Sequence, residues 1–561
     1  MISGRAAWLA ASLVFPLLLA ATRADGADAA SDIGLALREM LAERQHPYLA
    51  AGEISKEHDI LVRVYSSRDY APLWSVRSVP TRQATGLVHA LGAADARGLR
   101  SADYEAGMIA GRLEDFRTTR TRSPALGAQF DLALSVIAVR FLSDLHFGRV
   151  TPAAAGFHLD VSPTRLDLAE TLEKLAATGS VEALLDGIEP PFAHYRLLRK
   201  ALARYRELAL DAGLNQLPPF EGRSVKPGDT YAGAAGLRRL LTALGDLPAN
   251  ATASTADTVI GPELAAAIAS FQSRHGLVVD GIIGKGTFAE LTRPLAARVR
   301  QIELTLERWR WLPYFDGPPI VVNIPEFRLF AFHTRADSEA GMLQMNVIVG
   351  QTFPRSRTPV FTEEIRQVVF RPYWDVPYSI TVREMLPVIR ANPGYLARNN
   401  LEIVRGAGDD ATRVPPTPEN IDSLASGLLR LRQRPGPDNS LGLVKFVLPN
   451  AFNVYLHATP AHELFGRSRR AFSHGCIRVS DPVGLAEYVF HDQPEPWSRE
   501  RIERAMQEGG DSQRVTLARP IRVFIVYGTA MASEAGKVLF FEDIYGHDRR
   551  LEALLGLEPV H

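Results

Sequence analysis

The chain has 561 residues, 46% of them hydrophobic, and its 63 basic side chains balance its 63 acidic ones. A formal charge of zero argues against a nucleic-acid partner, whose phosphates call for a basic excess, and the length suggests about three to four domains at ~150 residues each. The single cysteine excludes an internal disulfide.

Residues 1–30 read as an export signal. Met1 and Arg5 give a positive start, Ala6 to Ala21 is apolar, and small residues from Ala21 to Ala30 offer cleavage sites. A membrane anchor is the competing reading, but the run is short of the ~20 residues a span prefers and contains Pro16. No later segment is expected to cross a bilayer. The expectation is an exported protein, without a stable membrane span once the signal is cleaved.

From 31 to 220 the chain is rich in Ala, Leu and Arg. In "FDLALSVIAVRFLSDL" the residues Phe130, Leu132, Leu134, Ile137, Val139 and Leu142 recur at helical spacing. With no catalytic constellation here, the stretch reads as a helical scaffold. "LPPFEGRSVKPGDT", Leu217 to Thr230, is a linker by its Pro and Gly. Between 230 and 294 three short helices are predicted. One ends near Gly245, one runs from Pro262 to a stop at Gly276, and one follows "VDGIIGKGT". Next, Leu295, Val299, Ile302, Leu306 and Trp309 form a one-sided helical stripe, which reads as a packing face.

From 318 to 528 short runs rich in Val, Ile, Phe and Tyr predict strands: "IVVNIPEFRLFAF", "LQMNVIVG", "FTEEIRQVVF", "LVKFVLPN", "NVYLH" and "IRVFIVYG". An insertion at about 379–435 carries two predicted helices, "TVREMLPVIRANP" and "PENIDSLASGLLRLRQ". An insertion of that length between strands is commonly a lid. Residues 529–561 are left as a C-terminal extension. The fold class expected is α+β and multidomain.

The only cysteine lies in "AFSHGCIRVSDP". A thiol attacks carbonyls as its thiolate, so a working Cys476 needs a base or cation nearby. His474, Arg478 and a helix capped by Asp481 with Pro482 at its first position are close in sequence. If Phe472–Val479 is extended, His474 and Cys476 face the same way; a turn at His474 is the other reading. His457, at the end of "NVYLH", reaches Cys476 if its strand lies alongside. A zinc site from His457, His462, His474 and His491 is disfavoured, because neither HExxH nor paired-cysteine spacing occurs. An inert buried thiol is the bland alternative.

Two resemblances sharpen this. Phe271-Gln272, His275-Gly276-Leu277, Asp280-Gly281, Gly284 and Thr287 resemble the small peptidoglycan-binding domain of cell-wall enzymes. His457, followed after a gap by Ser473-His474-Gly475-Cys476-Ile477-Arg478, resembles the active-site pattern of the L,D-transpeptidases. "TPVF", "VVFRPYWDVPYSI" and "RQRPGPDNSLGLVKFVLPN" resemble its large Gram-negative subtype, with scaffold, peptidoglycan-binding and capped catalytic domains.

The resemblance implies Cys476 as nucleophile and His457 as proton carrier, with His474 and Arg478 in support. Backbone N–H groups around Gly475 and Cys476 would form an oxyanion hole. Ser473, Tyr455 and Trp374 would contact substrate. It implies crosslinking of third-position diamino acids in peptidoglycan stem peptides with release of D-alanine, no metal or cofactor, and acylation by carbapenem-type β-lactams. A carboxypeptidase or crosslink-cleaving hydrolase, an enzyme attaching envelope proteins to the wall, and a non-catalytic wall-binding protein remain as alternatives. Ala458 stands where many relatives have Gly, and its methyl is expected to narrow the cleft.

Overall fold

The computed structural model describes residues 32–560, apart from 51, 120–122, 161–164, 249–257, 314–316, 318, 334–340 and 559. The export-signal reading therefore lies outside the described residues. The chain divides into two compact units, one formed by Met1–Arg149 with Thr164–Pro191, the other by Val150–Pro163 with Phe192–His561. The stretch read as one helical scaffold thus contributes to both.

The first unit is built around the helix Pro124–Phe147. Ser123 caps it by accepting from the Leu126 N–H, and Pro124 occupies the first turn, where no N–H is needed. This helix is long and apolar enough to cross a membrane, contrary to the sequence expectation, yet it is mostly buried. It is apolar all round because it is the unit's central core helix, packed among Leu61, Tyr65, Trp74, Leu87 and Leu172. Its one buried carboxylate, Asp131, is satisfied by the N–H groups of Leu73 and Trp74 at 2.8 and 2.7 Å and by the Tyr65 hydroxyl at 2.6 Å.

In the second unit the three predicted short helices form as Ala234–Leu244, Pro262–Arg274 and Lys285–Leu291. Gly245 closes the first with φ 83°, the left-handed cap that glycine adopts without strain. The predicted stripe lies on Leu295–Arg310, where Leu295, Ile302 and Leu306 are buried against these helices.

The catalytic region has strands β1 Ile320–Asn323, β2 Arg328–Ala331, β3 Leu343–Gly350, β4 Phe361–Phe370, β5 Trp374–Asp375, β6 Leu401–Arg405, β7 Thr412–Val414, β8 Arg430–Gln433, β9 Val444–Val447, β10 Leu456–His457, β11 Ala471–Ser473, β12 Ile477–Val479 and β13 Gln513–Val526. Nine of them order as β11-β3-β12-β10-β9-β4-β13-β1-β2, and β2 pairs back onto β3. The sheet closes on itself, which leaves β11 attached outside the ring and removes the open edges that invite aggregation. One face of each strand fills the interior with residues such as Val368, Phe370, Val444, Phe446, Leu456, Ile477 and Val479. Each such side chain contributes about 1.5–3 kcal/mol by leaving water.

The insertion differs from expectation. Besides helical turns it holds a four-stranded sheet, β7-β6-β8-β5, with its own small core of Ile389, Ile403, Leu424 and Leu431. The second predicted helix stops at Ser426, because Gly427 turns left-handed with φ 75°, and the following "RLRQ" forms β8. The C-terminal extension is no appendage either. A hairpin of β14 Ala530–Ala532 and β15 Val538–Phe540 sits in the core of the three-helix region, and Ile544, Tyr545, Leu551 and Leu555 belong to the catalytic core.

Candidate active site

Strand register assembles the site. β10 runs parallel to β12 with His457 opposite Arg478, and antiparallel to β9 with Lys445 opposite His457. Strand alternation then sends Lys445, Tyr455, His457, Cys476 and Arg478 to one side of the sheet while Phe446, Leu456 and Ile477 enter the core. Ala458 follows the core set and packs against Gly442, so its methyl does not narrow the cleft as expected.

The stretch from Phe472 to Val479 is not one strand. It breaks between β11 and β12, and Gly475 takes φ 121°, a conformation open to glycine. The Nε2 of His474 lies 2.8 Å from the Glu384 carboxylate in a wide π-helical turn, Thr381–Met385, of the insertion. Such turns recur at functional sites. Downstream, the predicted cap is in place, with the Asp481 carboxylate accepting from the Gly484 N–H at 2.9 Å.

The thiol of Cys476 is partly buried and free. Its sulphur lies 3.6 Å from the Asn453 carbonyl. The backbone N–H and the hydroxyl of Tyr455 favour the charged form of the sulphur, and the Trp374 side chain acts on the Tyr455 hydroxyl in turn. Burial pushes the thiol pKa up; Tyr455, and the charges of Lys445 and Arg478, offset that rise only in part. Lys445 places its Nζ 3.8 Å from the centre of the Tyr455 ring, and burial lowers its own pKa. The sequence reading did not single out Lys445. Strand alternation puts it on the site face, but a lone Lys in "VKFV" carries no signal by itself.

His457 is fully enclosed. Its Nδ1 lies 2.5 Å from the Ala458 carbonyl and its ring 5.6 Å from that of Tyr455. Burial, then the Arg478 charge, pushes its pKa down to about 3, so the imidazole is neutral. The hydrogen-bond partner of the sulphur is the Asn453 carbonyl, not the His457 ring. Arg478 is partly buried, with an Nε that finds no hydrogen-bond partner. Ser473, read as a substrate contact, is buried instead. Its hydroxyl donates to the Cys476 carbonyl at 2.5 Å and accepts from the Gly475 N–H at 3.1 Å. Of the two N–H groups expected to form an oxyanion hole, Gly475's is thus occupied, while that of Cys476 has no acceptor among the described residues. No group of three His, Cys, Asp or Glu side chains among the described residues is arranged to hold a metal ion.

A closed β-sheet presenting one half-buried thiol beside Tyr455, His457 and Arg478 defines the class. Residues 318–498 match the L,D-transpeptidase catalytic domain, 234–291 a "Putative peptidoglycan binding domain" and 59–202 a scaffold domain. Residues 318–498 are thus similar to the catalytic domain of the L,D-transpeptidases. It is 32% identical over 256 residues to a Haemophilus influenzae protein named "Putative L,D-transpeptidase". That match covers 45% of this chain and 49% of the relative, so the chain spans about half the length of the curated relative it matches.

Proposed function

We propose that this protein is a cysteine-dependent acyltransferase that joins third-position diamino acids of peptidoglycan stem peptides. The observation that carries the reading is the only cysteine of the chain, set beside a glycine turn where Tyr455 and the Lys445 and Arg478 charges favour its thiolate. Those groups stabilise a thiolate against the cost of burial. Neutral His457 is in the form able to take the thiol proton after a small ring movement, since apo geometry often tightens only around substrate.

The sulphur attacks the carbonyl of the third residue, and the bond to D-alanine breaks as its nitrogen takes the proton from His457. A side-chain amine of a second stem then attacks the thioester, forming the new amide and returning the proton and the free thiol. Arg478 supplies a positive charge beside the thiol that suits the substrate carboxylate. No metal or cofactor takes part in this scheme. The domain matched at 234–291 suits retention on the wall, and the reading places the protein in the periplasm.

Incubating the full chain with a disaccharide-tetrapeptide should yield a dimer lighter than two substrates by one alanine. Tripeptide monomer as the sole product would instead make the protein a hydrolase, and no product at all would overturn the enzyme reading.

A further inference from the structure

Behind the reactive turn lies a buried relay that no catalytic reading uses. The Thr358 hydroxyl donates to the Gly475 carbonyl at 2.8 Å and accepts from the Gly350 N–H at 2.9 Å. Because the Gly350 N–H occupies a lone pair, the Thr358 proton is directed at Gly475. Tyr545, from the C-terminal segment, ties the other ends together. Its hydroxyl donates to the Gly350 carbonyl at 2.6 Å and accepts from the Thr358 N–H at 3.2 Å. Thr358 is 1% exposed and Tyr545 3%, so water does not compete for these bonds. Gly350 admits no side chain, since a Cβ there would collide with the backbone of Ser356 and Thr358.

The peptide unit joining Gly475 to Cys476 is planar and trans, so its C=O and N–H point in opposite directions. A hydrogen bond that pins the Gly475 carbonyl therefore also aims the Cys476 N–H. That N–H has no acceptor among the described residues, whereas the next carbonyl, that of Cys476, is pinned by Ser473. We infer that Thr358, anchored by Tyr545, is a positioning residue that holds the Cys476 N–H as the donor to the oxyanion formed during acylation. This rests on Cys476 being the nucleophile. Removing a preorganised oxyanion donor elsewhere costs about 100- to 1,000-fold in rate, and misaiming one should cost somewhat less.

Two reagents separate aim from folding. Iodoacetamide alkylates a thiolate by displacement and builds no oxyanion; a carbapenem acylates through a tetrahedral oxyanion. In the full chain, Thr358→Val should slow carbapenem acylation of Cys476 by roughly 10- to 100-fold while iodoacetamide labelling stays within about two-fold. Thr358→Ser, which keeps the hydroxyl, should restore acylation, and Tyr545→Phe should fall between. The inference is overturned if Thr358→Val acylates like the unaltered protein, if both reactions decline together, or if serine fails to rescue. An unaltered protein that labels with iodoacetamide but never acylates would sink the proposed function itself.

Discussion

The two walls of the cleft are built to different standards. On one wall, Lys445, Tyr455, His457 and Cys476 stand on adjacent strands of a closed sheet whose interior holds residues such as Phe446, Leu456 and Ile477. Their positions follow from ladder register. The other wall is the insertion, with a far smaller core, and it meets the reactive turn through His474 and Glu384, whose side chains are 40% and 52% exposed. A solvent-exposed ion pair is worth only about 0–1 kcal/mol. Chemistry is thus anchored to the rigid wall, and the insertion meets the reactive turn through an exposed polar contact of small energy.

The sharpest way to break this comparison is Cys476→Ala, which should abolish both crosslinking and carbapenem adduct formation, as read by intact-mass spectrometry. Surviving activity would mean the rigid wall does not carry the reaction. Next, Lys445→Met removes a cation facing the thiol. Labelling by iodoacetamide should then need a pH higher by about one unit, and acylation near neutral pH should slow about 10-fold, since one unit of pKa corresponds to a tenfold change in thiolate population.

Acid should weaken the rigid wall. His457 has its pKa pushed from 6.5 to about 3 in the fold, so between those values the unfolded chain binds a proton that the native chain refuses. Stability is full above about pH 6.5 and falls as pH drops toward 3. His46, His194 and His547, each lowered to about 4 mainly by burial, act in the same direction. Thermal melting should therefore drop steadily from about pH 7 to about pH 4, and a flat profile would contradict the enclosure of His457.

The smallest effect belongs to the insertion. Glu384→Gln should leave the melting temperature within a degree or so and alter KM by only about two- to three-fold, an effect that salt erases. A large loss in kcat would show that the exposed pair takes part in the chemistry and that the two walls are less different than their construction suggests.

Much of the rigid wall was legible in the sequence because its signals are local. "FTEEIRQVVF" and "LVKFVLPN" read as strands, Asp481 and Pro482 start a helix, and the resemblance carried by His457 and the motif around Cys476 pointed to a candidate site. What escaped depends on partners far away in the chain. β6 and β8 stabilise one another across the register Leu401↔Gln433, and neither is distinctive alone; the leucines of "SGLLRLRQ" mimic a helix that Gly427 ends. Thr358 meets Gly475 across 117 positions and Tyr545 across 187, so neither residue announced itself. Ser473 was misjudged because sequence proximity to a thiol does not say whether a hydroxyl faces solvent or its own loop.

The place of Tyr545 in the chain has a consequence for synthesis. Gly350, Thr358 and Cys476 are all made well before it, so a nascent polypeptide carries its sulphur long before the phenol that braces the turn has emerged. If that brace is needed, a nascent chain stays chemically quiet until Tyr545 has emerged and docked.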